Sequence, residues 1–178
     1  MKALIVSDIH GSSYYADKIK EIIMKENPDM FIVLGDLYYH GPRNELSEEY
    51  NPMKVSNILN SYKNIIYVVK GNCDSEVDEM ISEFTFYDNL VLDINGKKTF
   101  CTHGHKFNKD NLPKQEFDIM AYGHFHMGFI KNENNKVFIN PGSISLPKNG
   151  SKNSYIIIDE LGIYLNDENG NIMERFLF

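Results

Sequence analysis

The sequence predicts a single α/β domain, residues 1–178, built on two stacked sheets. Three observations predict it: apolar runs alternating with helical patterns through the first part of the chain, closely spaced strand patterns after residue 84, and no linker or repeat between the two. Ala3-Leu4-Ile5-Val6 is too apolar for a half-exposed strand and reads as a buried one. Residues 14–26 carry Tyr15, Ile19, Ile22 and Ile23 at helical spacing, with Ser12 or Ser13 as N-cap and Asn27-Pro28-Asp29 as the stop. Met30 to Leu34 is a second buried strand. A turn-rich loop over 36–51 leads to a helix from Pro52 with Val55, Ile58, Leu59 and Tyr62 inward. Ile65 to Val69 is a third strand, and 74–83 a short helix. Leu90–Ile94 and Lys98–Thr102 form a hairpin on the Asn95-Gly96 turn. Ile119–Tyr122, Val137–Asn140, Tyr155–Asp159, Ile163–Asn166 and Ile172–Phe176 complete the strands. Neither half is long enough to bury both faces of its own sheet, so the two are expected to cover each other.

Composition narrows the function. Of 178 residues, 18 are basic and 25 acidic, a formal charge of −7 that disfavours bulk nucleic-acid or anionic-membrane binding. No apolar run approaches the roughly 18–20 residues of a membrane span. Only four apolar residues separate Lys2 from Ser7-Asp8, too short a core for a signal peptide. Two cysteines, Cys73 and Cys101, fit a reducing cytoplasm rather than a disulfide scaffold.

The chemistry lies at the ends of strands. Ala3–Val6 leads to Asp8 and His10, Met30–Leu34 to Asp36, Ile65–Val69 to Asn72, Thr99–Thr102 to His103, and Ile119–Tyr122 to His124 and His126. Ligands of open α/β sheets bind beyond the carboxyl ends of the strands, so these seven residues can converge. Singly, Asp-x-His or Gly-Asp is an ordinary turn; five such signals in order, each closing a strand, point to metal. Carboxylate and imidazole without thiolate suit Mn, Fe, Ni, Co or Zn. Seven donors are too many for one ion with open positions, and match two ions sharing a carboxylate, roughly 3.5–4 Å apart.

Asp8-Ile9-His10, Gly35-Asp36, Gly71-Asn72-Cys73-Asp74, His103-Gly104-His105 and Gly123-His124-Phe125-His126 together resemble the calcineurin-like metallophosphoesterases. His40-Gly41-Pro42-Arg43-Asn44 and Asn140-Pro141-Gly142-Ser143-Ile144-Ser145 add a likeness to the small YfcE-type phosphodiesterases of bacteria and archaea. The resemblance implies the metallophosphoesterase fold, a four-layer αββα sandwich of two stacked mixed sheets. It implies a binuclear metal centre, one ion held by Asp8, His10, Asp36 and His126, the other by Asp36, Asn72, His103 and His124. The expected metal is Mn²⁺, with Ni²⁺, Fe²⁺, Co²⁺ or Zn²⁺ as alternatives. The expected reaction is hydrolysis of small phosphodiesters by a hydroxide that the two metals activate, in a cytoplasmic protein that forms a homo-oligomer, dimer or tetramer. The protein phosphatases of the superfamily carry a proton-donating His where this chain has Cys73.

Three further residues are candidates. Asp74 is expected to orient a ligating imidazole, or to cap a helix over 75–83; His105 to donate a proton, or to make a structural hydrogen bond; Arg43 to contact phosphate through both guanidinium nitrogens. A phosphomonoesterase or protein phosphatase is the alternative enzyme, disfavoured by a chain with only two arginines. A non-catalytic scaffold of the same fold is disfavoured by the complete ligand set.

Overall fold

The computed structural model describes all residues, 1–178. The strands are β1 (Ala3–Val6), β2 (Met30–Val33), β3 (Ile66–Val69), β4 (Phe86–Tyr87), β5 (Leu90–Ile94), β6 (Lys97–Thr102), β7 (Ile119–Tyr122), β8 (Gly128–Glu133), β9 (Lys136–Pro141), β10 (Ser154–Ile158), β11 (Gly162–Asp167) and β12 (Ile172–Leu177). The helices are α1 (Ser13–Glu26), α2 (Pro52–Asn60) and α3 (Glu76–Met80). One sheet has seven strands in the order β12-β11-β10-β1-β2-β3-β4, the other five in the order β5-β6-β7-β9-β8. Both are mixed: β1, β2, β3 and β4 run parallel, as do β6, β7 and β9, with antiparallel strands outside them.

The strand period of two sorts the apolar residues into layers. Leu4, Val6, Phe31, Val33 and Val68 point to a core with Tyr15, Ala16, Ile19 and Ile22 of α1 and Val55 and Leu59 of α2. Their alternates Ala3, Ile5, Ile32, Leu34 and Val69 meet Cys101, Ile119, Ala121, Val137 and Ile139 of the second sheet. This shared core packs the two sheets against each other.

The two stacked mixed sheets are as expected; the fourth layer is made differently. The outer face of the second sheet presents Phe100, Met120, Tyr122 and Phe138, covered by Phe107 and Phe117. These two come from the irregular segment 103–118, not from a helix. Its Asn108–Asn111 turn, closed by reciprocal backbone bonds, and Pro113 interrupt any helical run.

Element ends follow local chemistry. Ser12 accepts the Tyr15 N–H as N-cap of α1, and Asn27 closes that helix in the left-handed region. The helix expected over 74–83 shortens to five residues, capped by Ser75 in a reciprocal box with Asp78, so Asp74 is not its cap. Two strands escape the sequence pattern. β4 has two residues, and β8 ends in the polar run Lys131-Asn132-Glu133. Asn134 and Asn135, both at positive φ, turn β8 into β9. No helix is long and apolar enough to cross a membrane.

Candidate metal centre

The two sheets deliver their parallel strands' C-terminal ends to one place. Asp8 and His10 follow β1, Asp36 follows β2 and Asn72 follows β3; His103 follows β6, and His124 and His126 follow β7. Backbone bonds knit the loops together: Asp8 N–H to Gly35 O at 3.1 Å, His10 N–H to Asp36 O at 3.0 Å, and Gly123 N–H to His103 O at 2.8 Å. His103 Nδ1 donates to Leu34 O at 2.6 Å, joining the second sheet to the first.

Three imidazoles are oriented in one way. Nδ1 of His10, His103 and His126 donates to a carbonyl, that of Tyr39, Leu34 and Leu146 respectively. Each Nε2 therefore faces inward, the ring nitrogen that is free to ligate metal once it carries no proton. His10 Nε2 and His126 Nε2 stand 3.3 Å apart, and His103 Nε2 is 3.0 Å from Asn72 Oδ1. Between two neutral rings the His10–His126 contact has no hydrogen to share, whereas a protonated His103 donates from Nε2 to its oxygen neighbours until an ion displaces that proton.

The carboxylates complete two donor groups. Asp8 Oδ1 lies 3.3 Å from His126 Nε2 and 3.7 Å from His10 Nε2. It is buried with no hydrogen-bond partner, while Oδ2 takes the Ser7 hydroxyl and the His124 N–H. A buried carboxylate oxygen without a hydrogen-bond partner, facing two imidazole nitrogens, is costly for a closed core and suited to a divalent cation. Asp36 Oδ2 lies 3.3 Å from His103 Nε2 and 3.7 Å from His10 Nε2, so it faces both groups. Its Oδ1 accepts the Cys73 N–H at 2.8 Å. The donors present fit metal ions.

Backbone strain is concentrated here. Asp8, His10, Asp36, His124 and His126 all have positive φ; the other non-glycine residues that do are five asparagines and Glu49. The short polar side chains of Asn and Asp ease the left-handed region, which otherwise costs an L-residue about 1–2 kcal/mol, and the three histidines here carry strain of the kind functional sites retain.

Electrostatics agree with a cation-binding pocket. Burial raises the Asp8 carboxyl, but the adjacent His10 and His126 imidazoles, with His103 nearby, overcome it and hold the group well below the usual range. His103 is lowered by burial yet pushed up to about 9 overall by Asp36 and Asp8. His124, lowered by burial and by the charge of His103, falls to about 4.

Of the seven expected ligands, six meet through the contacts above. His124 reaches the group ring to ring, its centroid 5.1 Å from that of His103. The other candidates fall differently. Asp74 orients no imidazole: Oδ2 accepts the Asp36 and Gly71 N–H groups at 2.8 and 2.7 Å, and Oδ1 that of Leu37 at 2.8 Å. With both oxygens filled by backbone donors, it has none left for a ring. Burial and the Asp36 charge push its carboxyl up to about 6 against those three bonds. His105 is exposed, its ring 5.4 Å from that of His103, and does not line the cavity. Burial and the charge of His103 lower its basicity. Arg43 is exposed on the rim of the cavity, which has a volume of about 430 Å³.

Lys148, not anticipated, lines the same cavity, and its N–H is bonded to the His126 carbonyl. Nothing in the sequence separates it from other lysines. Cys73 also lines the cavity; burial and the Asp36 charge push its thiol up to about 12, so it is no thiolate at neutral pH. Ser143 donates to Asp8 O at 2.7 Å, Ser145 to the same oxygen at 2.9 Å, and Asn140 to Gly123 O at 2.9 Å. The Asn140–Ser145 motif is thus the buttress of the Asp8 and Gly123 loops.

The crowding at Gly123 yields a test. A Cβ there would overlap Ser7 Oγ and sit 2.7 Å from Asp8 Oδ2, leaving Ser7 and Asp8 to move. Gly123→Ala is expected to cost about 1–3 kcal/mol in chemical denaturation and to weaken metal binding. Wild-type stability together with wild-type metal affinity would refute this account of the loop.

Known proteins agree with the geometry. The chain is 38% identical over 163 residues to phosphodiesterase YfcE of Escherichia coli K12, covering 89% of this chain and 88% of that one. It is 31% identical to the probable metallophosphoesterase YsnB of Bacillus subtilis, across 98% and 95% of the two chains. The solved structure of YfcE, described as a phosphoesterase from E. coli, superposes with a TM-score of 0.95 at 34% identity and 99% coverage of each chain. A family model, the calcineurin-like phosphoesterase superfamily domain, matches residues 1–161, a span that contains every strand-end donor described above. By fold, by site and by descent the chain belongs to the calcineurin-like phosphoesterase superfamily and is a metal-dependent phosphoesterase.

Proposed function

We propose that this phosphoesterase hydrolyses small phosphodiesters at a centre of two divalent ions that share Asp36. The observation that carries the reading is Asp36 Oδ2, which faces His103 on one side and His10 on the other. Asp8, His10 and His126 complete one site, and Asn72, His103 and His124 the other; Mn²⁺ suits these oxygen and nitrogen donors. These residues would hold ions whose chemistry, when bound, would be to lower the pKa of water and to neutralise the phosphate oxygens.

The chain's own groups make the rest of the case. Arg43 and Lys148 at the cavity mouth are the side chains that draw in and orient an anion. No protein nucleophile takes part: the Cys73 thiol is neutral, and Ser143 is committed to the Asp8 carbonyl.

The diester preference follows from charge. A monoester dianion carries about one more negative charge than a diester, and an unactivated alkoxide leaving group needs a proton. Two exposed cations and no histidine at position 73 supply little of either. The relative named a phosphodiesterase supports the same choice. On one Mn²⁺-loaded preparation at one pH, kcat/KM for an aryl phosphodiester is expected to exceed that for the matched aryl phosphomonoester at least about tenfold, about 1.4 kcal/mol. A preference for the monoester would overturn the substrate reading and leave the metal assignment standing.

A further inference from the structure

We infer that Asp74 is a positioning residue that ties the shared Asp36 to the Asn72 turn before any ion binds. The inference rests on the metal-centre reading above. Asp74 touches no imidazole and pairs with no cation; its buried carboxylate is filled by the N–H groups of Asp36, Leu37 and Gly71. Asp36 follows β2 and Gly71 follows β3, so one side chain spans the ends of two neighbouring parallel strands.

The clamp is reciprocal. The turn that carries Asp74 also sends the Cys73 N–H to Asp36 Oδ1 at 2.8 Å. Asp36 is thereby held by its main chain and by one carboxylate oxygen, leaving only Oδ2 for His10 and His103. Asn72 lies between the two bonded N–H groups, Gly71 and Cys73, and its Oδ1 is brought to 3.0 Å from His103 Nε2. The loops are in close contact as well: a Cβ on Gly35 would lie 2.6 Å from Gly71 N. Asp36 holds a strained backbone at φ 56°, and the Asp74 bond to its N–H is one restraint that keeps it there.

Asn is the informative replacement. It keeps the volume of Asp74 but has one acceptor oxygen, so its NH₂ must face at least one of the three N–H donors. The test is metal binding by folded Asp74→Asn protein, with Mn²⁺ as the probe. Wild type is expected to hold two ions by elemental analysis and to show the electron paramagnetic resonance signal of a magnetically coupled pair. Asp74→Asn, folded by circular dichroism, is expected to lose the coupled signal and to bind its second ion at least about tenfold more weakly. A role in stability alone would lower the melting temperature and leave the coupling intact. Two coupled ions at wild-type affinity in Asp74→Asn would overturn the inference, whereas a wild type that binds no pair would overturn the metal-centre reading beneath it. If the variant does not fold, amide exchange in metal-free wild type decides. Protection at Asp36, Leu37 and Gly71 supports a lock formed before the ions, and rapid exchange there overturns it.

Discussion

Asp36→Asn is expected to lower kcat/KM on an aryl phosphodiester by at least about 10³-fold, about 4 kcal/mol, and to leave fewer than two ions bound. The size of the effect comes from how the carboxylate is divided. Oδ1 is committed to the Cys73 N–H, and Oδ2 alone faces His10 and His103. Asn cannot satisfy both sides. If its oxygen stays on the Cys73 N–H, an NH₂ group points at the cations; if it turns over, that NH₂ opposes the Cys73 N–H and the loop loses its hold. Either way both donor groups lose a shared anion, unlike a change at Asp8 or Asn72, which touches one. The metal-free protein should remain folded, because Asn keeps the volume of Asp36 and an acceptor oxygen for the Cys73 N–H. Elemental analysis and steady-state kinetics on the same sample check this. An active Asp36→Asn protein with two tightly bound ions would end the shared-carboxylate model.

The residues of this centre were more legible in the sequence than the devices that hold them. Apolar runs ending in Asp, Asn or His mark strand C-termini, and parallel strands carry those ends to one edge, so the seven candidate donors could be named without knowing the sheet order. The left-handed backbone at Asp8, His10, Asp36, His124 and His126 could not be read, because residue type favours Asn and Gly there and the strain is imposed by neighbouring loops. The partner of Asp74 was misjudged for a related reason. A carboxylate beside a metal motif suggests an imidazole, but its three partners are backbone N–H groups, which carry no sequence signature. Ser143 and Ser145 share that invisibility, since both donate to the Asp8 carbonyl. In the fold, β8 was lost to its polar end, and the sequence pattern placed no element over 103–118, the coil that covers the second sheet with Phe107 and Phe117. Phe107 and Phe117 sit in a segment without helical period; their burial depends on the aromatic face of the second sheet, a long-range fact.

Stripping the metal is expected to abolish activity, adding Mn²⁺ to restore it, and the affinity for Mn²⁺ to climb with pH. The pH dependence follows from His103. Held beside Asp36 and Asp8, it is pushed up from 6.5 to about 9, so at neutral pH the metal-free protein keeps a proton on a nitrogen that a metal ion needs. Ion binding must expel that proton. Raising the pH from 6.5 toward 9 weakens the competitor, and the Mn²⁺ association constant should rise by up to about tenfold per unit, then level off. Stability of the metal-free protein runs the other way. A group with a raised folded pKa contributes stability fully below its unfolded value and loses it as pH rises through the folded one. The chelated protein should therefore melt at progressively lower temperature from pH 6.5 to above 9, as buried Asp8 and Asp36 lose the positive charge between them. The Mn²⁺-loaded protein carries that charge on the ions and should show no such decline, while melting higher throughout by the usual linkage to a bound ligand. Calorimetric Mn²⁺ titrations and thermal melts at pH 6.5, 7.5, 8.5 and 9.5, with and without chelator, measure both trends. A flat Mn²⁺ affinity across that range would remove the proton from His103, and full activity in verified metal-free protein would remove the metal from the reaction.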